Sequence, residues 1–302
     1  MRSVRHSRFQ RAPVFRPIQL TERDKQIVRQ VHRHRFLRSS HITALVGGSA
    51  QQTLRRLQLL FHHGYLERPR AQIDYYHRLG SRPLVYGIGG KGAALLRREL
   101  AASPADWQTK NRAVGRVFLE HALLSADVMV AIELACRRGH ARLLSADELP
   151  QAMRSNEPIQ WSVITANRTK LGIVPDHVVG LEFPDQPEAR RRAFYFLEAD
   201  RATMPVMRQN LSQSSFYRKL LAYEATWTQN IHRDRLGLRR FRVLTVTSSA
   251  ARVKHLVEAC AQLKRGHGLF LFTDADSLRR HADLFSFPWQ TAHPGKTASL
   301  LE

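Results

Sequence analysis

Two short stretches of the 302-residue chain hold residues that could do chemistry together. Val174-Pro175-Asp176 ends one apolar run, and Phe194-Tyr195-Phe196-Leu197-Glu198-Ala199-Asp200-Arg201 ends another. Each carboxylate follows strand-like residues, and the spacing suits two neighbouring strands joined by a loop. Acidic side chains gathered at strand ends can hold a divalent metal. A metal beside a basic surface points to phosphodiester chemistry, since it neutralises charge at the scissile phosphate and activates water. A purely structural reading is also open. Pro-Asp is a common turn composition, and Glu198 and Asp200 share one face of a strand. They could simply pair with Arg201, Arg218 or Lys219.

The rest of the composition says what surrounds those residues. Forty-eight Lys and Arg against 25 Asp and Glu give a formal charge of +23. Such a balance predicts a polyanionic partner, DNA or RNA, rather than a membrane, because no amphipathic anchor or lipidation signal is present. Residues 1–110 carry 21 basic and 6 acidic residues, a net of +15, and the remaining residues 27 and 19, a net of +8. The N-terminal third is therefore the expected first docking surface. Cys136 and Cys260, the two cysteines, are too few and too far apart for a zinc site and read as buried small hydrophobes. No apolar run reaches membrane-spanning length, residues 1–20 lack a signal-peptide core, and a cytoplasmic setting is expected.

Residues 1–19, Arg-rich and interrupted by Pro, read as a flexible basic arm. From Leu20 the pattern changes. Thr21 can cap a helix, with Asp24 in a variant capping box, and Ile27, Val28, Val31, Phe36 and Leu37 give its apolar face. A short helix follows Ser39 or Ser40, Gly47-Gly48 breaks the chain, and Ser49 caps a third helix with the stripe Leu54, Leu57, Leu60 and Phe61. Gly64 ends it. Two short strands, 65–68 and 83–88, bracket a polar hairpin, and a fourth helix runs from Lys91 to Leu100. This predicts a winged helix-turn-helix over residues 20–102. Its third helix would present Ser49, Gln51, Gln52, Thr53, Arg55 and Arg56 to a major groove, and Arg70, Arg78 and Arg82 of the wing would meet phosphates. Gly87-Ile-Gly-Gly-Lys-Gly92 satisfies a dinucleotide-binding pattern but lacks a following apolar strand. Turn glycines explain it better, and no nucleotide is expected.

Residues 103–112 read as a linker and 113–285 as a second domain, with 286–302 a flexible tail. A long helix from about Arg116 to Arg137 carries Val117, Leu119, Leu123, Leu124, Val128, Ile132 and Leu134. Strands are expected at 142–145, 159–164, 171–183, 193–199, 241–247 and 268–273, and helices at 212–232 and 251–263. That order predicts an α/β sandwich with a mixed central sheet, α+β overall.

Taken together, the order of elements, Val174-Pro-Asp176, Leu197-Glu-Ala-Asp-Arg201 and the Ser215-Phe-Tyr-Arg-Lys219-Leu-Leu-Ala-Tyr223 helix resemble the replication-relaxation family. That family joins a winged helix to a restriction-endonuclease-like, PD-(D/E)xK domain and includes relaxases and relaxosome proteins of mobilisable plasmids. The resemblance covers roughly Leu20 to Asp274. It implies that Asp176 and Glu198 are metal-binding carboxylates for magnesium or manganese, with Glu120 a further acid. It also exposes a departure: the motif expects Lys two residues after the second acid, where Asp200 stands. Arg201 or Lys219 would have to replace that cation in space, and Asp200 would serve as another metal ligand or orient Arg201. The resemblance implies a cytoplasmic protein of a plasmid or mobile element that recognises double-stranded DNA, such as an origin of transfer or replication, and nicks it during conjugation or mobilisation. Relaxosome or coupling proteins would be its partners, and paired half-sites would suit a homodimer. The alternatives are a non-catalytic relaxosome accessory or regulator with a degenerate nuclease domain, and a protein that binds RNA or a partner through its basic surface alone.

Overall fold

A computed structural model gives the fold and describes residues 8–14, 16–75, 83–100, 111, 113–139, 141–154, 158–165, 167–210, 212–281 and 283–301. The chain forms two compact units, Met1–Ala126 and Asp127–Glu302.

In the first unit, α1 (Glu22–His34) starts as expected. The Thr21 side chain accepts from the Asp24 backbone while the Asp24 carboxylate accepts from Thr21, a complete capping box. Arg35, at φ +64°, ends it. Phe36 and Leu37 therefore do not extend the face of α1 as the periodicity predicts. They form strand β1 (Phe36–Arg38), which pairs antiparallel with β3 (Val85–Ile88). Helices α2 (Ser39–Val46) and α3 (Ala50–His62) follow. Gly47 and Gly48 both take positive φ between them, which only glycine adopts cheaply. Strand β2 (Leu66–Glu67) completes a three-stranded sheet of order β1-β3-β2, and α4 (Gly90–Leu100) closes the unit. Three helices with this small antiparallel sheet make a winged helix-turn-helix. Ile27, Val31, Phe36, Leu57, Leu60 and Phe61 are buried in its core.

The core stripe of α3 differs from the expected one. Leu54 is 47% exposed, whereas Thr53 is fully buried, so the inward positions are 53, 57, 60 and 61. The turn glycines are close-approach positions: a Cβ on Gly89 would strike the Gly64 carbonyl oxygen, and one on Gly92 that of Tyr65. The arm is not wholly free. Arg11 pairs with Glu67 and donates to the Leu66 carbonyl at 3.2 Å, and Arg68 donates to the Arg8 carbonyl at 2.6 Å.

Helix α5 (Arg116–Cys136) contributes Leu119 and Leu123 to a cluster with Phe36 and Val85. Val117, expected on its apolar face, is instead 66% exposed. The second unit is built on a seven-stranded mixed sheet of order β12-β11-β10-β9-β8-β7-β4. Its strands are β4 (Arg142–Leu143), β7 (His177–Glu182), β8 (Arg192–Asp200), β9 (Arg242–Thr247), β10 (Phe270–Asp274), β11 (Trp289–Thr291) and β12 (Thr297–Ala298). β8, β9 and β10 run parallel, and β7 is antiparallel to β8. The expected strand over 171–183 is two strands. β6 (Lys170–Ile173) pairs with β5 (Trp161–Ile164) in a separate hairpin, and Val174-Pro-Asp176 carries the chain across to β7.

A four-residue helix α6 (Glu188–Arg191) precedes β8. The helix expected over 212–232 breaks at Asn230, φ +57°, into α7 (Phe216–Thr228) and α8 (Ile231–Asp234). α7 packs with α9 (Ala250–Cys260), and a short α10 (Ala275–Arg280) follows β10. The main core lies where Phe196, Val243, Phe270 and Phe272 of the sheet meet Phe216, Leu220 and Tyr223 of α7 and Leu256 and Cys260 of α9. The expected flexible tail is also corrected: β11 and β12 extend the sheet, with Trp289 fully buried and Leu300 3% exposed. Nonpolar burial of that size holds a terminal segment down.

Candidate nuclease-like site and helix surface

β8 is a central strand, and Tyr195 through Asp200 are all buried. Two carboxylates on such a strand need partners, because an isolated buried charge is very costly. Their placement follows from strand register. β7 meets β8 with His177 opposite Leu197, and the Asp176 amide, one residue earlier, donates to the Leu197 carbonyl at 3.0 Å. Asp176 thus stands beside Glu198, its Oδ2 accepting from the Ala199 amide at 2.7 Å. Pro175, without an N–H, suits the crossing between the two sheets.

Glu198 is 1% exposed. Lys219 and Tyr223 lie four residues apart and so share a face of α7. Lys219 Nζ pairs with Glu198 Oε2, and the Tyr223 hydroxyl donates to Oε1 at 2.6 Å. Tyr223 also stacks on Phe196, with ring centroids 5.7 Å apart. Of the two cations considered as substitutes for the missing lysine, Lys219 is the one on Glu198.

Electrostatics bind the group together. Burial raises the Glu198 carboxyl above its ordinary pKa and Asp176 adds to this, against the pull of Lys219 and Tyr223. Burial opposes the Lys219 ammonium, but Glu198, then Asp176 and Asp200, outweigh it and hold its pKa above the usual value. Burial first, and Glu198 next, keep the Tyr223 phenol protonated well above its ordinary range. Tyr195 is pushed up to about 12 by burial. Neither is poised as a phenolate nucleophile.

Asp200 meets Arg252 of the helix after β9 and not Arg201, the cation it was expected to orient. Its Oδ2 accepts from Arg252 Nε at 2.7 Å and from the Thr247 hydroxyl at 3.0 Å. Arg252 also donates to the Met204 carbonyl at 2.6 Å. The side chains of Arg252 and Asp200 are 11% and 6% exposed, so this is a buried ion pair between β8 and the first turn of α9. Glu120 pairs with Arg116 at 2.9 Å along its own helix. Glu120 belongs to the first unit and Asp176 and Glu198 to the second, and among the described residues no group of three or more His, Cys, Asp or Glu could hold a metal.

A divalent cation can still be matched to what is present. Magnesium commonly uses one or two carboxylates, keeps waters, and takes a substrate phosphate as a further ligand. Asp176 and Glu198 supply two hard oxygen donors, and an ionised carboxylate has about four acceptor sites. Thr245, in register with Glu198 on β9, has a buried hydroxyl with no hydrogen-bond partner among the described residues. This donor set fits the two-carboxylate mode.

In the first unit, Gln51, Gln52 and Arg55 are exposed on α3, as expected of a reading helix. Ser49 is exposed too and accepts from the Gln52 amide at 3.3 Å as the N-cap. Two members of the expected set are structural instead. Thr53 is buried, its hydroxyl donating to the Ser49 carbonyl at 3.1 Å and accepting from Arg23 at 3.0 Å. Arg56 Nε donates to Asp24 at 2.8 Å, and Asp24 is fully buried. Burial works against the Asp24 carboxylate, but Arg56 and Thr21 outweigh it and hold its pKa below the ordinary value. Arg70 is exposed in a 3₁₀ turn, Arg70–Tyr75. Arg78 and Arg82 lie outside the described residues.

No helix among the described residues is long and apolar enough to cross a membrane. No curated protein and no solved structure matches the chain. The family model described as replication-relaxation matches residues 28–240, more than two thirds of the chain, and spans both units. Asp176, Glu198 and Lys219 fall inside that match; Arg252 lies beyond it. The chain belongs to the replication-relaxation family.

Proposed function

We propose that this protein binds duplex DNA of a plasmid or mobile element through its winged helix and cuts one strand at the Asp176–Glu198–Lys219 site. The observation that carries the reading is the meeting of two carboxylates and an ammonium at one end of β8. Lys219, with 37% of its side chain exposed, can face a phosphate while still bonded to Glu198. It supplies positive charge where negative charge grows during phosphoryl transfer. Asp176 and Glu198 would hold magnesium or manganese, which when bound supplies Lewis acidity and a more acidic water. Tyr223 fixes the orientation of Glu198.

DNA recognition follows from α3. Gln51 and Gln52 can pair with adenine and Arg55 with guanine, while Arg70 would meet the backbone. Footprinting on the element's own origin tests this arm. Gln52→Ala and Arg55→Ala should each weaken specific binding by roughly 1–3 kcal/mol, and an unchanged footprint would refute it.

A second reading is favoured by one observation: both oxygens of Glu198 already have partners. On that reading the domain is a degenerate nuclease, and the protein acts as a relaxosome accessory or regulator. A clear footprint with no metal-dependent strand scission would establish it.

A further inference from the structure

The sheet of the second unit has a second unusual end. β8 and β9 are parallel, with Tyr195 opposite Arg242, so their first residues share the edge opposite Glu198. Glu198 stands six positions beyond Arg192, which places this edge about 20 Å away along the strand. Arg190 and Arg191 lead into β8, and Arg239 and Arg240 lead into β9; all four are exposed. A cleft of about 180 Å³ opens between them, lined by Gln186, Arg190, Phe194, Arg240, Phe241 and Arg242.

Charge is poorly balanced there. Arg191 pairs with Glu188 at 3.2 Å and Arg192 with Glu182 at 3.6 Å. Among the described residues Arg190 and Arg240 form no ion pair with a carboxylate, and Arg242 donates to the Ser299 carbonyl at 3.4 Å. Guanidiniums held close together repel unless an anion joins them. The cleft holds several times the volume of a water, enough for a sugar-phosphate unit and too little for a double helix. Half-buried Phe194 adds an aromatic surface at its side. A cationic groove with an aromatic platform is how proteins hold single strands without sequence choice.

We propose that this edge is a second nucleic-acid site, which grips the backbone of single-stranded DNA with Arg190, Arg240 and Arg242. It rests on the reading of the chain as a DNA-binding protein and adds a strand-holding surface at the edge of the sheet opposite Glu198. The probe is fluorescein-labelled oligothymidylate, read by anisotropy across a salt series with the full chain. Arg190→Ala/Arg240→Ala removes two phosphate contacts, so the slope of log K against log salt should fall by about 1.4, at 0.7 per contact. Arg190→Lys/Arg240→Lys should keep the parental slope, and duplex binding through α3 should persist in both. Thermal unfolding should be unchanged, since both side chains are exposed.

A parental slope in the Ala variant, or equal loss in the Lys variant, would overturn the proposal. So would loss of binding to phosphatidylglycerol vesicles with oligothymidylate binding untouched. If the parental chain binds neither duplex nor oligothymidylate, the DNA-binding reading fails with it. Duplex binding with no effect of Arg190 and Arg240 on the single strand defeats this proposal alone.

Discussion

Replacing Lys219 with Met should make the stability of the second unit depend on pH between 5 and 7.5. Glu198 is 1% exposed, and the substitution leaves it with the Tyr223 hydroxyl but no cation. Removing one partner of a buried ion pair costs about 3–5 kcal/mol. The Lys219 side chain is 37% exposed, so water recovers part of this and a loss of about 2–3 kcal/mol at pH 7.5 is expected. The sign follows from the direction of the Glu198 shift. Its carboxyl is already raised above the ordinary value of 4.5, and losing the ammonium raises it further. An acid raised on folding contributes stability fully present below its unfolded pKa and lost as pH rises through its folded pKa. Lys219→Met should therefore match the parent near pH 5 and fall behind steadily toward pH 7.5. Urea unfolding followed by tryptophan fluorescence reads this, since Trp161, Trp227 and Trp289 all lie in the second unit. At neutral pH the midpoint temperature should drop by about 5–10 °C. Glu198→Gln/Lys219→Met should regain most of the stability and show no such slope. A deficit equal at pH 5 and 7.5, or none at all, would refute the reasoning.

Other substitutions follow from the same structure. Arg56→Ala should destabilise the winged helix by about 2 kcal/mol, because it strips the buried Asp24 of its charged donor, whereas Arg55→Ala should stay within about 0.5 kcal/mol. Calorimetry of the two variants separates them, and equal stabilities would contradict the assignment. The depressed Asp24 pKa contributes stability above its ordinary value of 3.8 that is lost as pH falls through the folded value. The parent's first unit should thus lose stability below pH 4 more steeply than Arg56→Ala does. Arg252→Ala should cost about 3 kcal/mol in chemical denaturation by stranding Asp200, and paired replacement with Asp200→Asn should recover part of it. Gly89→Ala should lower soluble yield and melting temperature, since its Cβ meets the Gly64 carbonyl; a parental melting curve would be inconsistent with that contact.

Local rules made much of the first unit legible. Capping by Thr21 and Asp24, the Gly47-Gly48 break and the Gly64 stop are set by neighbours in sequence, and the structure shows each. Phe36 and Leu37 were not legible, because apolar residues after a helix continue its pattern until an event such as the positive φ of Arg35. Thr53 and Leu54 exchanged roles for a related reason. Thr53 faces inward, where its hydroxyl accepts from Arg23, a contact 30 residues away that the pattern on α3 does not display. In the second unit, the alternation of Glu198 and Asp200 placed both on one face but could not say which cation meets which acid. Lys219 and Tyr223 at i and i+4 were a usable signal for Glu198. Arg252 had only an indirect one: in a parallel β-α-β order the helix after β9 starts near the end of β8, within reach of Asp200. The terminal strands were missed because β11 and β12 are short and separated by turn residues, while their stability comes from burial of Trp289 and Leu300.

Strand scission by the acid pair is the central claim, and nicking of supercoiled DNA carrying the element's own origin measures it most directly. The parental protein should convert supercoiled to open circular DNA with magnesium or manganese and not with a chelator. Asp176→Ala, Glu198→Gln and Lys219→Met, each shown to bind the origin with parental affinity at a pH where it is folded, should lose at least about a hundredfold in rate, the scale of removing one transition-state charge contact. Parental nicking rates in Asp176→Ala and Glu198→Gln would contradict the account.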